Sequence, residues 1–485
     1  MTIGQRALRG TLWLSVANYA TCAITFGTDL ILARLLIPED FGAVALAVSV
    51  LTIIVGQVGS LGLSAAIVQY EAENETDERR FLSTAFSVQL IVVFLVFALA
   101  LILSVTMRWV YSADVLAILV LLSAGRGFQL LATVPSALVQ KRMLFQQDAL
   151  ISFLSLTISS VIGILLAWQG FGFWSLVGKQ LSQMLISGIG AWWVSRWSPR
   201  LAWDRGALNH VWRFARSMWI AGNSQMILQE LDDTTVGTLA GTSALGYYSR
   251  AWKLSRLFME FVAPAIGRTV LPTFSNLKGD SQALASVFGI VQRSIARMAA
   301  LFFLGIGLLA PAAISVLYGK QWLPIVPLFR IMIIYGFLKS IFDQYAVLMI
   351  STDRPHILSR IRIAQLALFI PGVFIAAHLG GAMGVAVIVN LTIMLGTGLM
   401  VWQGKKLVKF SFLRTIVPSV GATLLTAGVV VVLQRFVQIS TPLVEMFILG
   451  PFTAVCFGVW LFLLERRTLI RDIRRIQRAV FSETT

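Results

Sequence analysis

The chain has 485 residues, 57% of them hydrophobic and only 13% charged, with a formal net charge of +17. Soluble domains carry nearer a quarter charged residues, so this balance points to a polytopic membrane protein. Two cysteines (Cys22, Cys456) and three scattered histidines (His210, His356, His378) exclude a disulfide framework and argue against a zinc or haem centre.

The chain opens with MTIGQRALRG and an apolar run to Leu36. That run is far longer than the apolar core of a signal peptide, so it reads as a first span. Asn18, Thr25 and Asp29 fall along one side of it. Crossing the hydrocarbon takes roughly 20 mainly apolar residues. By that rule there are fourteen spans, at about 10–36, 41–69, 81–107, 113–139, 149–169, 173–195, 214–239, 244–273, 285–318, 323–350, 357–378, 380–402, 412–434 and 441–464. The connections are short. The predicted fold class is all-α and polytopic.

Lysine and arginine crowd alternate connections: Arg79 and Arg80; Lys141 and Arg142; Arg196, Arg200, Arg205, Arg213 and Arg216; Lys278; Arg354; Lys405, Lys406 and Lys409. Basic loops in short connections mark the cytoplasmic side, which puts both termini in the cytoplasm. Most of the +17 charge therefore signals topology and anionic headgroups, not nucleic acid. The tail, ERRTLIRDIRRIQRAV, reads as a basic amphipathic segment on the inner leaflet.

The longest basic connection, 198–217, divides the chain in two. A gapless shift of 204 residues lays DLILARLLIPEDFGAVALA (29–47) over DTTVGTLAGTSALGYYSRA (233–251). Asp29 then meets Asp233, Leu35 meets Leu239, Gly42 meets Gly246 and Ala47 meets Ala251. Two parallel six-span lobes around a central cavity follow, related by an axis along the membrane normal. The N-lobe covers 1–204 and the C-lobe 205–404; spans 13 and 14 occupy 405–465, and the basic cytoplasmic tail 466–485.

Charges within spans are costly in lipid, at about 2.5–3.5 kcal/mol each at a helix centre, and so mark cavities or partners. On span 8, Arg250, Lys253, Arg256 and Glu260 fall within about 120° of one another on a helix. The matching first-lobe positions are Leu46, Ser49 and Thr52, so the repeat itself does not require cations there. On span 7, Asn223, Glu230 and Asp233 share a face. Glu230, Asp233 and Asp29 are ion-coupling candidates, because a carboxyl near low dielectric can change protonation or bind a cation during a cycle. The coupling ion is H+ or Na+, and no cofactor or metal centre is expected. Arg126, Lys179, Arg293, Arg297, Arg330 and Lys339 are further cations within spans. Lys339 has Asp343 four residues on, which predicts an intrahelical pair. The sequon Asn74-Glu75-Thr76 lies in a predicted cytoplasmic loop, and LYGKQW (317–322) lacks the spacing of a phosphate-binding loop.

ARLLIPEDFGAVALA (33–47), GLSAAIVQ (62–69), ALVQKRMLFQ (137–146), GFGFWSLV (170–177), GTSALGYYSRAWKL (241–254) and LYGKQWLPIVPLFRIM (317–332) carry a resemblance that covers nearly the whole chain. The sequence resembles the polysaccharide-transport family, the oligosaccharide-lipid flippases of the MOP exporter superfamily. The resemblance implies two six-helix lobes around a central cavity, with two trailing helices. It also implies transport of undecaprenyl-diphosphate-linked repeat units to the outer leaflet of a bacterial inner membrane, for exopolysaccharide, O-antigen or capsule. Arg250, Lys253, Arg256 and Arg126 would meet the diphosphate, by chemical role and not by a fixed motif. Asn18, Asn223, Gln225 and Gln229 would bond sugar hydroxyls. Expected partners are the lipid-linked oligosaccharide, membrane lipids, and the polysaccharide polymerase and export machinery; a monomer is expected. A multidrug cation antiporter of the same superfamily is the alternative. A membrane-embedded polymerase or ligase would need catalytic residues on external loops, and those loops are nearly bare, so no enzyme is expected.

Overall fold

A computed structural model of the chain describes residues 20–59, 62–408, 411–436 and 441–481. Among these, every regular element is a helix. In order they are α1 (20–35), α2 (Pro38–Gly59), α3 (Leu63–Gln69), α4 (Glu75–Thr106), α5 (Ala113–Leu131), α6 (Thr133–Lys141), α7 (Phe145–Trp168) and α8 (Phe173–Ser195). There follow α9 (Arg205–Leu239), α10 (Thr242–Asn276), α11 (Ser281–Leu308), α12 (Ala310–Leu317), a 3-10 turn at Lys320–Trp322, α13 (Ile325–Ser351), α14 (Pro355–Leu407), α15 (Phe412–Phe436) and α16 (Pro442–Phe481). Each predicted span falls on helix where it is described; residues 10–19 of span 1 lie outside the described residues. Three of them are broken: span 2 is α2 plus α3, span 4 is α5 plus α6, and span 9 is α11 plus α12. Spans 11 and 12 form one continuous run, α14, bent at Gly381, whose φ of 53° is the left-handed region that glycine tolerates. Nine helical stretches among the described residues are long and apolar enough to cross a membrane. The α10 helix is not among them.

The chain divides into two compact units, Met1–Ser249 and Arg250–Thr485, and α10 begins in the first and continues into the second. In the first unit α7 packs on α8, α4 on α5, and α2 on α4, α5 and α9. Leu63, Ile67, Phe81, Leu82, Val134 and Leu138 form one buried cluster. Beside it, Phe86 meets the edges of Trp192 and Trp197, with ring centroids 6.0 and 5.5 Å away.

The predicted connection 198–217 is helical from Arg205 onward. What remains extended is tied to α4. Ser87 Oγ donates to the Ala202 carbonyl at 3.0 Å, and Thr84 Oγ1 accepts from the Asp204 amide at 3.1 Å. Asp204 then caps α9 by accepting from the Ala207 amide at 2.8 Å. The sequon asparagine does the same at α4: Asn74 Oδ1 accepts from the Asp77 amide at 2.9 Å and from Thr76 Oγ1 at 2.7 Å. Its side chain is a helix cap.

The two repeat glycines meet each other's element. A Cβ on Gly42 would overlap the Thr242 carbonyl, and a Cβ on Gly246 would overlap the Pro38 carbonyl. Pro38 and Thr242 are themselves related by the 204-residue shift, so the contact is its own image. Main chain lies on main chain at this crossing of α2 with α10, as small residues permit in membrane helices.

In the second unit α13 packs on α14, and α11 on α13 and α15. A buried cluster of Phe274, Phe288, Ile341, Tyr345, Leu348 and Met400 holds these together. The α16 helix bends at Glu465 (φ −137°, ψ 28°), and its continuation is pinned to α11 by charge. Arg293 grips the Asp472 carboxylate with two hydrogen bonds of 2.8 Å. Arg297 bridges Glu465 at 3.0 Å and Asp472 at 3.1 Å. Arg293 and Arg297 thus serve as clamps on the C-terminal helix. Lys339 pairs with Asp343 within α13, as the spacing predicts.

Gly42→Val or Gly246→Val should destabilise the fold by about 1–3 kcal/mol or more, because neither main chain can yield to a side chain. Gly398→Ala, where a Cβ meets open space, should leave stability nearly unchanged. Thermal unfolding in detergent measures all three. Equal melting of the Gly42 and Gly398 variants would contradict the crossing.

Candidate functional site

The second half of α9 carries the acids of the first unit. Its hairpin to α10 turns at Gly241, whose φ of 91° suits glycine. The turn brings Tyr248 back alongside Asp232, both fully buried, and the phenol donates to Asp232 Oδ2 at 2.7 Å. Asp233 Oδ1 is buried with no hydrogen-bond partner, and both Glu230 and Asp232 act on that carboxylate electrostatically. One turn on, Thr234 Oγ1 lies 3.0 Å from Ser49 Oγ of α2. Thr238 Oγ1 lies 3.1 Å from the Tyr111 hydroxyl. The helix is therefore held by hydrogen bonds at Asp232 and just beyond the acids, at Thr234 and Thr238.

Of the expected ion-coupling residues, Glu230 and Asp233 are adjacent in this cluster. Asp29 stands elsewhere in the unit, 3.9 Å from Lys179, with both side chains nearly buried. Asp232, beside them, is not among the ion-coupling residues expected from the sequence. Its signal was a tyrosine on the next helix, legible only once the Gly241 turn fixes the hairpin register.

The cations occupy the start of the second unit. On α10, Ala251, Leu254, Ser255 and Phe258 are buried, while Lys253 and Arg256 are half-buried on the neighbouring arc and Glu260 is exposed. Arg250, also half-buried, is within electrostatic reach of the buried Tyr318 hydroxyl. Glu260 acts electrostatically on Lys253, seven residues before it. Trp252 stacks obliquely on Tyr335, with centroids 4.4 Å apart, which fixes the rotation of α10 on α13. Elsewhere in the first unit, Arg126 donates to Gln129 on its own helix. Gln229 is half-buried on α9. Asn18 lies outside the described residues, as do the side chains of Asn223 and Gln225. Among the described residues, no group of His, Cys, Asp and Glu could hold a metal ion.

A multi-pass helical chain with paired carboxylates on one helix and a line of cations on the next has the composition of a membrane transporter. Residues 31–327 match the family model described as polysaccharide biosynthesis protein. The chain belongs to that family. It is 29% identical over 318 residues to the succinoglycan biosynthesis transport protein ExoT of Rhizobium meliloti, a match covering 65% of this chain and 63% of that one. The lipopolysaccharide biosynthesis protein WzxC of Escherichia coli is 19% identical over 404 residues, covering 79% of this chain and 78% of its own. Among solved structures, the lipid II flippase MurJ in an inward closed conformation has a TM-score of 0.74 at 11% identity. It covers 95% of this chain and 100% of its own. An inward-facing multidrug resistance MATE transporter has a TM-score of 0.59 at 16% identity, covering 82% of this chain and 98% of its own. These likenesses show the fold.

Tyr248→Phe should cost about 1–3 kcal/mol, since it leaves the buried Asp232 carboxylate without that donor. Asp232→Leu combined with Tyr248→Phe should cost less than the sum of the two single changes. Thermal unfolding of the four forms tests the pair. Strict additivity would remove it.

Proposed function

We propose that this protein is a flippase for oligosaccharide repeat units carried on undecaprenyl diphosphate, moving them from the inner to the outer leaflet of a bacterial inner membrane. The observation that carries the reading is the cation line Arg250, Lys253 and Arg256 on α10 of a polysaccharide biosynthesis family member. A diphosphate is the one part of such a cargo that needs positive charge. Guanidinium forks match phosphate oxygens in pairs, and a site shielded from water strengthens the match. Polar side chains such as Gln229 bond sugar hydroxyls, while the polyprenyl chain remains in lipid. Alternating access follows from rocking of the repeats about the cargo. Both termini face the cytoplasm, and the polymerase of the same pathway receives the product.

The acids of α9 supply coupling. Glu230, with Asp233 second, takes up H+ or Na+ in one half of the cycle and releases it in the other. Glu230 is half-buried and stands at Phe26 in the repeat, so it belongs to one copy alone. A cation antiporter is the second reading, favoured by the same acids and by the MATE fold. That fold leaves a larger part of this chain uncovered than MurJ does, and such a cargo gives no role to three cations on α10.

In proteoliposomes, Arg256→Ala should lower lipid-linked cargo binding roughly ten- to hundredfold, as expected for losing a hydrogen bond to a charged group. Arg256→Lys should recover only part of it. Normal flipping by a variant with alanine at all three cations, at normal abundance, would end the flippase reading. Glu230→Gln should abolish the dependence of flipping on an imposed ion gradient while leaving cargo binding in place. An unchanged gradient dependence would move coupling to another residue.

A further inference from the structure

The α11, α13 and α15 helices enclose an apolar groove of about 400 Å³. Its walls are Phe303, Leu304, Ile334, Phe337 and Val420, and the one charged residue among its described lining is Arg330. Arg330 lies five residues inside the start of α13, level with the end of α11. Its Nε donates to the Gly307 carbonyl at 3.4 Å, which holds the guanidinium at the groove's end and leaves its other donors outward. From Arg330 to Leu338 the groove follows eight residues of helix, roughly 12 Å at 1.5 Å per residue. Half the hydrocarbon thickness is about 15 Å. The groove is thus about one leaflet long, with Arg330 at its end as the one charge in its described lining.

We infer that this groove binds an anionic glycerophospholipid. One acyl chain lies against Phe303, Leu304, Ile334 and Phe337, and the phosphate pairs with Arg330. Charge complementarity decides the occupant. An apolar groove alone accepts any chain, but a fixed guanidinium at its mouth favours a glycerophospholipid whose phosphate charge is not offset by a cationic headgroup. A polyprenyl carrier is a poorer fit, because its chain outruns a single leaflet. Leu308 and Thr423 complete the wall, so the site joins α15 to the helices α11 and α13. The bound lipid would tie span 13 to spans 9 and 10. This site stands apart from the α10 cations and does not depend on the flippase reading.

The test is native mass spectrometry of the purified full-length chain, loaded with phosphatidylglycerol or phosphatidylcholine. Wild type should retain phosphatidylglycerol over phosphatidylcholine by roughly tenfold, the range of a hydrogen bond to a charged group. Arg330→Ala should lose that preference, and Arg330→Lys should keep part of it. Arg330→Gln, which can still bond the Gly307 carbonyl, should lose it as fully as alanine does, separating charge from local structure. Ile334→Trp, which fills the groove, should lower retention of both lipids. Unchanged phosphatidylglycerol retention in Arg330→Gln or in Ile334→Trp would overturn the inference. So would stronger retention of a polyprenyl phosphate than of phosphatidylglycerol at this groove.

Discussion

Much of the described architecture turns on one close approach: main chain against main chain where Gly42 and Gly246 cross. In hydrocarbon there is no hydrophobic gain from bringing helices together, so intimate packing and hydrogen bonds must do it. Once α2 and the start of α10 touch here, the neighbouring register is determined. Gly237 fits between Leu46 and Leu245, Thr234 reaches Ser49, and Tyr248 reaches Asp232.

Charge within the spans falls into two kinds, separable by partner. Arg293 and Arg297 meet Glu465 and Asp472 with several charge-assisted bonds, all four side chains largely withdrawn from solvent. Breaking such a network by removing one member typically costs about 3–5 kcal/mol. Its work is to hold the bent end of α16 against α11. Lys179 with Asp29 and Lys339 with Asp343 are simpler pairs of the same kind. The α10 cations are arranged differently: three positive charges follow in seven residues, with the Tyr318 hydroxyl acting electrostatically on Arg250 and the exposed Glu260 on Lys253.

The span count was legible because apolar length is additive along a chain; breaks within spans were not. Ala132 and Leu309 end helices inside apolar runs, where hydropathy changes little. The bend at Gly381 joined two spans that a loop was expected to separate, since one left-handed glycine suffices to redirect the chain. The repeat was legible from four identities, and the glycine pair among them proved to be the crossing itself. Among site residues, the pairing of Lys339 with Asp343 followed from helical spacing. The Tyr248–Asp232 bond did not, because it depends on the register of a hairpin. Arg293 and Arg297 were visible as buried cations, but their acids lie more than 160 residues away, beyond any local pattern.

The contrast between the two copies of the repeat carries the physical argument furthest. In the first copy, Leu46 and Ser49 are buried, with Ser49 bonded to Thr234, and the face is closed by ordinary packing. In the second copy the same positions hold Arg250 and Lys253, followed by Arg256. Three such charges turned to lipid near the bilayer centre would cost about 7–10 kcal/mol. That approaches the entire stability of a typical folded domain, about 5–15 kcal/mol. The face must therefore meet protein, water or a counter-charge, and cannot meet acyl chains. The 204-residue shift thus sets a buried apolar and hydroxyl face in 46–52 against a cationic one in 250–256. The asymmetry between the copies, more than either copy alone, is where a transport site for a negatively charged cargo could arise without disturbing the fold.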